Sequence, residues 1–466
     1  MSSKTICIIG GGFSGVMVAV HLMRESKSPI HLVLVNSGYP LSKGIAYSSY
    51  SNKHLLNVAA RNMSAFPDQP DHFLRWIKGH ENYGVIDHEK LPGMFLPRNI
   101  YGHYLKDVFD AAIRNKKDHV TISFVHDEAI DIEHSGLMAH VYFRISPTVV
   151  AHQVVLATGN QVPQDPYLED TSFYQSNHYF KNPWTQESVN NLDTNKDVLI
   201  VGNGLTMVDV VLGLREKNHQ GKIYSLSPNG FRILPHRTIS PYTELVEEIR
   251  PPYDLNKLVS LFRKHLAILR REGGNGEMLV DTLRPLTQMI WQTWSLNEKK
   301  RFMYHIRHMW GVARHRLPMQ IHALIQEMIL DDKLEIIAGR LKSITEVNDQ
   351  IAVNFIRRSD QKPYSITVDR VINCTGPQTD ISKIKQPLIQ NLFNRGLIDA
   401  DEMKLGMRAL PDGTIIGRNG MPSDSLFTIG SNLKGVLWES TAVPELRLQA
   451  KNLSKKLLET GELINA

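Results

Sequence analysis

The sequence predicts an α/β protein made of two Rossmann-like dinucleotide-binding domains, the second carrying an inserted helical subdomain. Three observations carry this reading. A strand, a glycine turn and a helix occur as ICIIGGGFSGVMVAV, Ile6 to Val20, and again as VLIVGNGLTMVDVV, Val198 to Val211. Two other strands each run into a Thr-Gly turn, at Thr158-Gly159 and Thr375-Gly376, one before and one after the second glycine turn. From about residue 241 to 330 strand signals stop, and the chain becomes helical and rich in His, Arg, Met and Trp.

The first unit is complete within residues 4–37. A short β-branched run ends in glycines, a helix follows with apolar residues at helical spacing, and IHLVLVNS returns as a second buried strand. Gly10, Gly12 and Gly15 have GxGxxG spacing: one turns the chain, one lets backbone approach a pyrophosphate and one packs helix on strand. The helix start at Phe13 and Ser14 offers amides and the positive dipole end to that phosphate. At the end of the second strand, where an acid normally takes the ribose hydroxyls, this chain has Asn36, which hydrogen-bonds without charge.

The second unit repeats the pattern 192 residues on, with Gly202 and Gly204 in place of Gly10 and Gly12, Leu205 and Thr206 opening the helix, and Met207 where the third glycine would stand. Met207 affects helix packing; the phosphate contacts rest on the first two glycines and the helix start. After the strand KIYSLS comes no acid but Arg232, His236 and Arg237. Basic residues there favour the 2′-phosphate of NADPH over NADH, and the same residues also suit a solvated loop.

The insertion is legible by its caps. Asp254 precedes a helix with Leu255, Leu258, Val259, Phe262, Leu266 and Leu269 that stops at Gly273, and Ser295 with Glu298 has capping-box spacing before KKRFMYHIRHMW. Its cluster RHRLP, Arg314 to Pro318, suits either a solvated helix end or a site for an anionic group. The final helix, ELRLQAKNLSKKLLETG, puts Leu446, Ala450, Leu453 and Leu457 on one face, with Gly461 as its stop.

The totals set limits. With 466 residues and 42% apolar side chains the chain builds two or three domains. The balance of 53 basic against 47 acidic residues, without a long basic run, gives nucleic-acid binding no support. Cys7 and Cys374 stand far apart, which excludes a CxxC pair, a cysteine-based zinc site and a disulfide framework and fits a reducing cytoplasm. No metal site is expected, nor a signal peptide or membrane span, since charged and polar residues interrupt every apolar stretch.

Several strings go beyond these generic motifs: GGGFSG, GIAYSS, HLLNVAARNMSAFPDQPDHFLRW, FLPRNIYGHYL, GNGLTMVDV, SLSPNGFRILPHR, RHRLP and LFTIGSNLKGVLWESTAVPELRLQA. Together they span nearly the whole chain. It resembles the FAD/NAD(P)-binding flavoproteins that include FAD-dependent urate hydroxylases and aspartate N-monooxygenases, relatives of the N-hydroxylating flavin monooxygenases. The resemblance implies FAD in a discontinuous domain of residues 1–192 and 373–466 and NAD(P)H in residues 193–372, with the insertion at about 241–330. It implies that NAD(P)H reduces FAD, that O2 adds to the reduced flavin, and that the hydroperoxide oxygenates a small anionic nitrogenous substrate, by urate hydroxylation or amino-acid N-oxygenation. A non-oxygenating flavin reductase or dehydrogenase is the alternative.

The same resemblance places Gly430 beside FAD, followed by Ser431 and Asn432 in place of the usual aspartate. It places Ser440, Thr441, Ala442 and Val443 at a helix start facing the flavin pyrimidine. Asn57, Met63, Ser64 and Phe66 become candidates to line the flavin or substrate pocket, although Met63 and Phe66 also suit core packing. Arg98, Arg314, His315 and Arg316 become the candidate cationic pocket for substrate. Oligomeric state is open.

Overall fold

The computed structural model describes residues 3–237, 242–348 and 350–459. Pro241 and Gly461, expected to begin the insertion and to stop the last helix, lie outside the described residues. Two sheets organise the chain. In the first, Thr414–Ile416, Pro422–Thr428, Gln153–Leu156, Lys4–Ile9, Ile30–Val35 and Val120–Val125 lie in that order, all parallel except the first. In the second, the order is Pro363–Val368, Gln350–Arg357, Leu334–Val347, Ile223–Ser227, Val198–Val201, Arg370–Asn373 and Tyr179–Phe180; the last five are parallel. The central strands read as unbroken apolar runs because both their faces are covered. Chain order reverses beside Lys4–Ile9 and again beside Val198–Val201, and open α/β sheets hold ligands in the crevice at such a reversal.

Each of the two strands that end in Thr-Gly reads from sequence as one element and is two in the structure. Val149–Ala151 belongs to a small antiparallel sheet with Ala129–Ser135 and Met138–Phe143, whereas Gln153–Leu156 joins the first large sheet. Pro363–Val368 completes an antiparallel meander, and Arg370–Asn373 enters the centre of the second. One residue makes each crossing. His152 accepts a hydrogen bond from the Thr5 amide through Nδ1 at 3.0 Å, and the Asp369 amide donates to the Asp197 carbonyl at 2.8 Å, so each crossing is fastened to the foot of its unit's first strand. The two-residue strand Tyr179–Phe180, too short for a sequence signal, adds an edge to the second sheet from a stretch assigned by sequence to the first domain.

The last helix, Val443–Glu459, buries Val443, Leu446, Ala450, Leu453 and Leu457 in the core shared with the first helix, Phe13–Glu25. Each leucine so buried contributes about 1.5–3 kcal/mol. In the insertion, Asp254 accepts from the Lys257 amide at 2.9 Å, and Ser295 with Glu298 forms the expected capping box. The helix after that box does not run straight through. It bends at Ile306 into Leu296–His305 and Arg307–Arg314, with the bonds from Ile306 to Phe302 and from Trp310 to Ile306 kept on either side. The bend lets Trp310 and Arg314 reach the segment before the last helix.

The two glycines of the second turn differ in a testable way. Gly202 has φ +108°, and a Cβ there would stand 2.4 Å from the Cys374 carbonyl oxygen; Gly204 has nothing within 4 Å of such an atom. Gly202→Ala is expected to cost about 2–4 kcal/mol, and Gly204→Ala less than about 1 kcal/mol, read from urea-denaturation midpoints. Equal loss in the two variants would contradict the packing described.

Candidate active site

The first glycine turn is a cradle that no other residue fits. Gly10 has φ +121°, and a Cβ would sit 2.1 Å from the Ala157 carbonyl oxygen; a Cβ on Gly15 would sit 2.0 Å from the carbonyl of Gly10 itself. Helix and strand therefore meet at van der Waals distance through bare backbone. Gly12 caps the helix in an extended conformation without a side-chain cap, and the first turn has no acid, so the amides of Phe13 and Ser14 face outward at a positive dipole end.

A cleft of about 1360 Å³ opens there. It begins at Asn36 and Tyr39, passes over Gly10, Gly12 and Ser14 and the short helix Gly44–Tyr47, and takes in Thr158 and Gly159. Its far end is Gly430, Ser431, Ser440 and Thr441. Asn36 donates through Nδ2 to the Tyr39 carbonyl at 2.9 Å, which holds its carboxamide against Gly11 at the strand end. Among the described residues, nothing hydrogen-bonds the buried Ser431 hydroxyl. Ser440 donates to the Gly430 carbonyl at 2.6 Å and closes residues 430–440 into a loop whose two ends both line the cleft. Ala442 starts the last helix by accepting from the Glu445 and Leu446 amides, and Val443 is in the core. Asn432, standing one place after Ser431, is turned inward instead. Its Nδ2 donates to Thr428 and Thr158 hydroxyls at 3.0 and 3.1 Å and positions Thr158 at the cleft.

The second glycine turn repeats the first relation with one change. Gly202 presses on the Cys374 carbonyl as Gly10 presses on that of Ala157. With Met207 in place of the third glycine, the Gly202 carbonyl is taken by the Ser225 hydroxyl at 3.2 Å, and the helix of Leu205 and Thr206 starts with a tighter bond from the Met207 amide to the Gly204 carbonyl. Met207 itself is buried in the second core. Of the basic residues that follow, Arg232 and Arg237 are exposed. His236 turns away from them: its Nε2 donates to the Asn57 carbonyl at 3.0 Å, and its ring lies 4.5 Å from Phe95.

Comparison with known proteins bears on both turns. A family profile described as FAD-NAD(P)-binding matches residues 7–161. An L-aspartate N-monooxygenase (nitrosuccinate-forming) of Streptomyces davaonensis is 26% identical over 191 residues; the match takes in 36% of this chain and 27% of that protein's length. The ornithine N-hydroxylase of Kutzneria sp. 744, solved with reduced FAD, NADP⁺ and L-ornithine, superposes with TM-score 0.64 at 12% identity over 99% of this chain and all of that one. The ornithine hydroxylase of Pseudomonas aeruginosa gives 0.65 at 13% identity, over 99% and 100% of the two chains. The fold is that of the N-hydroxylating flavin monooxygenases.

Within this monooxygenase fold the residues expected to bind substrate are mostly committed elsewhere. Arg98 makes a bidentate pair with Asp209 of the second unit at 2.8 and 3.1 Å, and its Nε donates to the Leu55 carbonyl. His54 Nε2 donates to the Asp209 carbonyl at 3.0 Å. Arg98 is therefore a bolt between the two dinucleotide folds, and its charge is already matched. Arg314, 8% exposed, pairs with Glu439 at 3.6 Å and Glu445 at 3.9 Å; Arg316, 5% exposed, pairs with Asp281 and with Glu277. Arg314 and Arg316 of the cluster RHRLP are neither solvated nor free, because buried guanidinium groups need carboxylates and the fold supplies them. Only His315 of the three is exposed, with Nδ1 donating to the Gly311 carbonyl at 3.1 Å.

In the loop after the first fold, Met63 and Phe66 take the core-packing role that the sequence also allowed, and neither Asn57 nor Ser64 is among the residues that line the cleft. Ser64 donates to the Gln69 carbonyl at 2.6 Å, while its own carbonyl accepts from Arg447 of the last helix at 3.0 Å. The string thus meets the last helix through Ser64 and the second unit through Asn57. Residues that sequence reasoning did not single out are the Gly44–Tyr47 helix and the cations Arg307 and Lys434; the string GIAYSS was the available signal for the first. Among the described residues no group of His, Cys, Asp and Glu could hold a metal ion, and no helix is long and apolar enough to cross a membrane.

The contact between units is open to measurement. Arg98→Met and Asp209→Asn in a double-mutant cycle are expected to show about 1–3 kcal/mol of coupling in urea denaturation; additive losses would contradict the bolt. Burial, with Arg316 next, pushes His236 down to about 4. The folded protein then holds it neutral while the unfolded chain protonates near 6.5, so its contribution is full above about pH 6.5 and is lost as pH falls towards 4. His236→Gln should flatten the loss of stability in that window, followed as melting temperature against pH.

Proposed function

We propose that this chain is a FAD-dependent, NAD(P)H-consuming monooxygenase acting on a small, anionic, nitrogen-containing substrate. The observation that supports it best is the single cleft running from the first glycine turn to the start of the last helix, with a second glycine turn bolted to the same unit through Arg98 and Asp209. In this reading residues 1–192 and 373–466 form the FAD domain and 193–372 the NAD(P)H domain, apart from the edge strand Tyr179–Phe180. Gly10, Gly12 and the amides of Phe13 and Ser14 would hold the FAD pyrophosphate, with Gly15 packing the helix on the turn that carries them. Asn36 would meet the ribose, and Thr158, Gly159 and Gly430, which line the same cleft, would complete the FAD site.

The cleft fits that cofactor on its own terms. The Gly10 and Gly15 contacts press strand, turn and helix together, a Cβ on Gly12 would meet only Gly44 Cα at 3.7 Å, so bare backbone is open to a phosphate there, and the unpartnered Ser431 hydroxyl supplies a hydrogen-bonding group at the position of the usual aspartate. Ser440, Thr441, Ala442 and Val443 present the positive end of the last helix. Gly202, Gly204, Leu205 and Thr206 hold the NAD(P)H phosphates, and Arg232 and Arg237 suit a 2′-phosphate, hence NADPH. When bound, FAD supplies hydride acceptance from the nicotinamide and activation of O2. The protein's part is to keep the two dinucleotides facing each other, to favour negative charge at the helix start and to exclude water.

Disulfide reduction has no support from the cysteines. Burial pushes Cys7 up to about 12 and Cys374 well above the usual thiol range, and the two belong to different cores. Both remain free thiols, in keeping with the cytoplasm. The aspartate N-monooxygenase relative favours N-oxygenation of an amino acid over urate hydroxylation as the reaction.

The test uses the purified FAD-loaded protein. Amino acids, amines and urate are screened for stimulated NADPH oxidation, and the product is analysed for label from ¹⁸O2. Label in product is the expected result; NADPH oxidation without label under every condition would favour the non-oxygenating reductase. Gly204→Leu should retain FAD and slow its reduction by NADPH by about tenfold or more. Loss of FAD with an intact fold would show that the two turns are assigned in the wrong order.

A further inference from the structure

The loop closed by the Ser440 and Gly430 bond carries Lys434 and Trp438 at its outer part, against the insertion. Trp438 has φ +61° and ψ −65°, and the Glu439 amide donates to the Leu437 carbonyl at 2.7 Å. This is a γ-turn of the strained hand centred on a bulky residue. It lays the Trp438 ring against Trp291 at 5.0 Å and turns Glu439 back towards Arg307–Arg314. Trp310 donates to Glu439 Oε1 at 3.2 Å, and Arg314 pairs with its other oxygen.

On that helix Arg307, Trp310 and Arg314 share one face by their spacing of three and seven residues. With Trp310 and Arg314 on Glu439, Arg307 lies one turn further along the same seam, towards Lys434, whose ammonium stands 5.4 Å from the centre of the Trp438 ring. The local charges do not balance. Arg314 and Arg284 are matched by Glu439 and Glu445. Arg307 and Lys434 are left over, neither paired with a carboxylate among the described residues; Arg307 donates to His308 Nε2. Both are only partly exposed, and burial works against the charge of each, as does the repulsion of Lys434 by Arg307. Desolvation and Arg314 lower the basicity of His315, and Lys434 acts in the same direction, which puts the imidazole beside this pair. Two surplus cations held together and partly dehydrated cost free energy unless an anion completes them.

We propose that Arg307 and Lys434, with His315 beside them, form the recess that takes the carboxylate of the substrate, and that their double charge suits a dicarboxylate. The strained turn at Trp438 serves this site: it draws Glu439 onto Arg314 and so leaves Lys434 free for a ligand. Lys434 belongs to the same closed loop as Ser440, which lines the cleft. That the carboxylate belongs to a substrate rests on the monooxygenase reading; that it binds here does not.

The experiment titrates FAD-loaded protein with succinate, L-aspartate and, as an amine without carboxylate, putrescine. Binding is read by calorimetry and by quenching of the tryptophans that border the recess. Proteins of equal FAD content and melting behaviour are compared: wild type, Arg307→Gln, Lys434→Gln, the double variant and Lys434→Arg. Succinate and aspartate should bind wild type, weaken by about tenfold or more in the double variant and recover to within about threefold in Lys434→Arg. Unchanged carboxylate affinity in the double variant, putrescine binding as well as succinate, or no carboxylate binding to wild type would each overturn the recess. Carboxylate binding that is lost in the variants, with no ¹⁸O incorporated into any compound, would uphold the recess while removing the monooxygenase reading. Oxygenation with an unchanged KM in the double variant would do the reverse.

Discussion

Everything near the cleft depends on two contacts that exclude a side chain. Gly10 against the Ala157 carbonyl and Gly202 against that of Cys374 bring the end of each unit's first strand onto the end of its parallel neighbour, Gln153–Leu156 or Arg370–Asn373, at a distance no Cβ permits. From that approach follow the direction of each helix start, the opening of the crevice at the reversal of strand order and the outward-facing amides. The two units reach this arrangement differently at the next contact. Gly15 lets its helix rest on the Gly10 carbonyl, whereas the Met207 unit keeps a bulky residue and satisfies the equivalent carbonyl with Ser225.

The charges close to this framework are used mainly to join parts. Arg98 spans the two units, Arg314 joins the insertion to the last helix, and Arg316 ties the insertion to itself through Asp281 and Glu277. Removing either partner of such a pair leaves a charge in a half-dry environment, so these positions tolerate little change. A cation is informative about ligands when the fold has given it no carboxylate. By that criterion Arg307 and Lys434, partly buried and without a carboxylate, stand apart from Arg98, Arg314 and Arg316.

Strain marks the same place. Most turns of the chain use glycine where φ is positive, as at Gly10, Gly202 and Gly430, but the γ-turn beside the cleft is centred on Trp438. Its cost is offset by stacking on Trp291 and by the contacts of Glu439 that follow. The segment between Gly430 and Ser440 thereby does two things: its ends line the cleft, and its middle fixes the position of the insertion.

The sequence by itself determined the two units, the glycines that head them, the capped helices of the insertion and the apolar face of the last helix. These are local patterns: periodicity, turn chemistry and caps act over a few residues, and each was written within its own segment. It did not determine that the two Thr-Gly strands are each split between sheets, because His152 and Asp369 act through contacts with Thr5 and Asp197, well over a hundred residues away. Nor did it determine which cations are free. Whether an arginine is spent depends on which carboxylate the fold brings to it, and Asp209 for Arg98 and Glu439 for Arg314 arrive from 111 and 125 positions along the chain. Pairing at that range is a property of the packed molecule, where burial makes an unmatched charge costly, and only the tertiary structure could decide it.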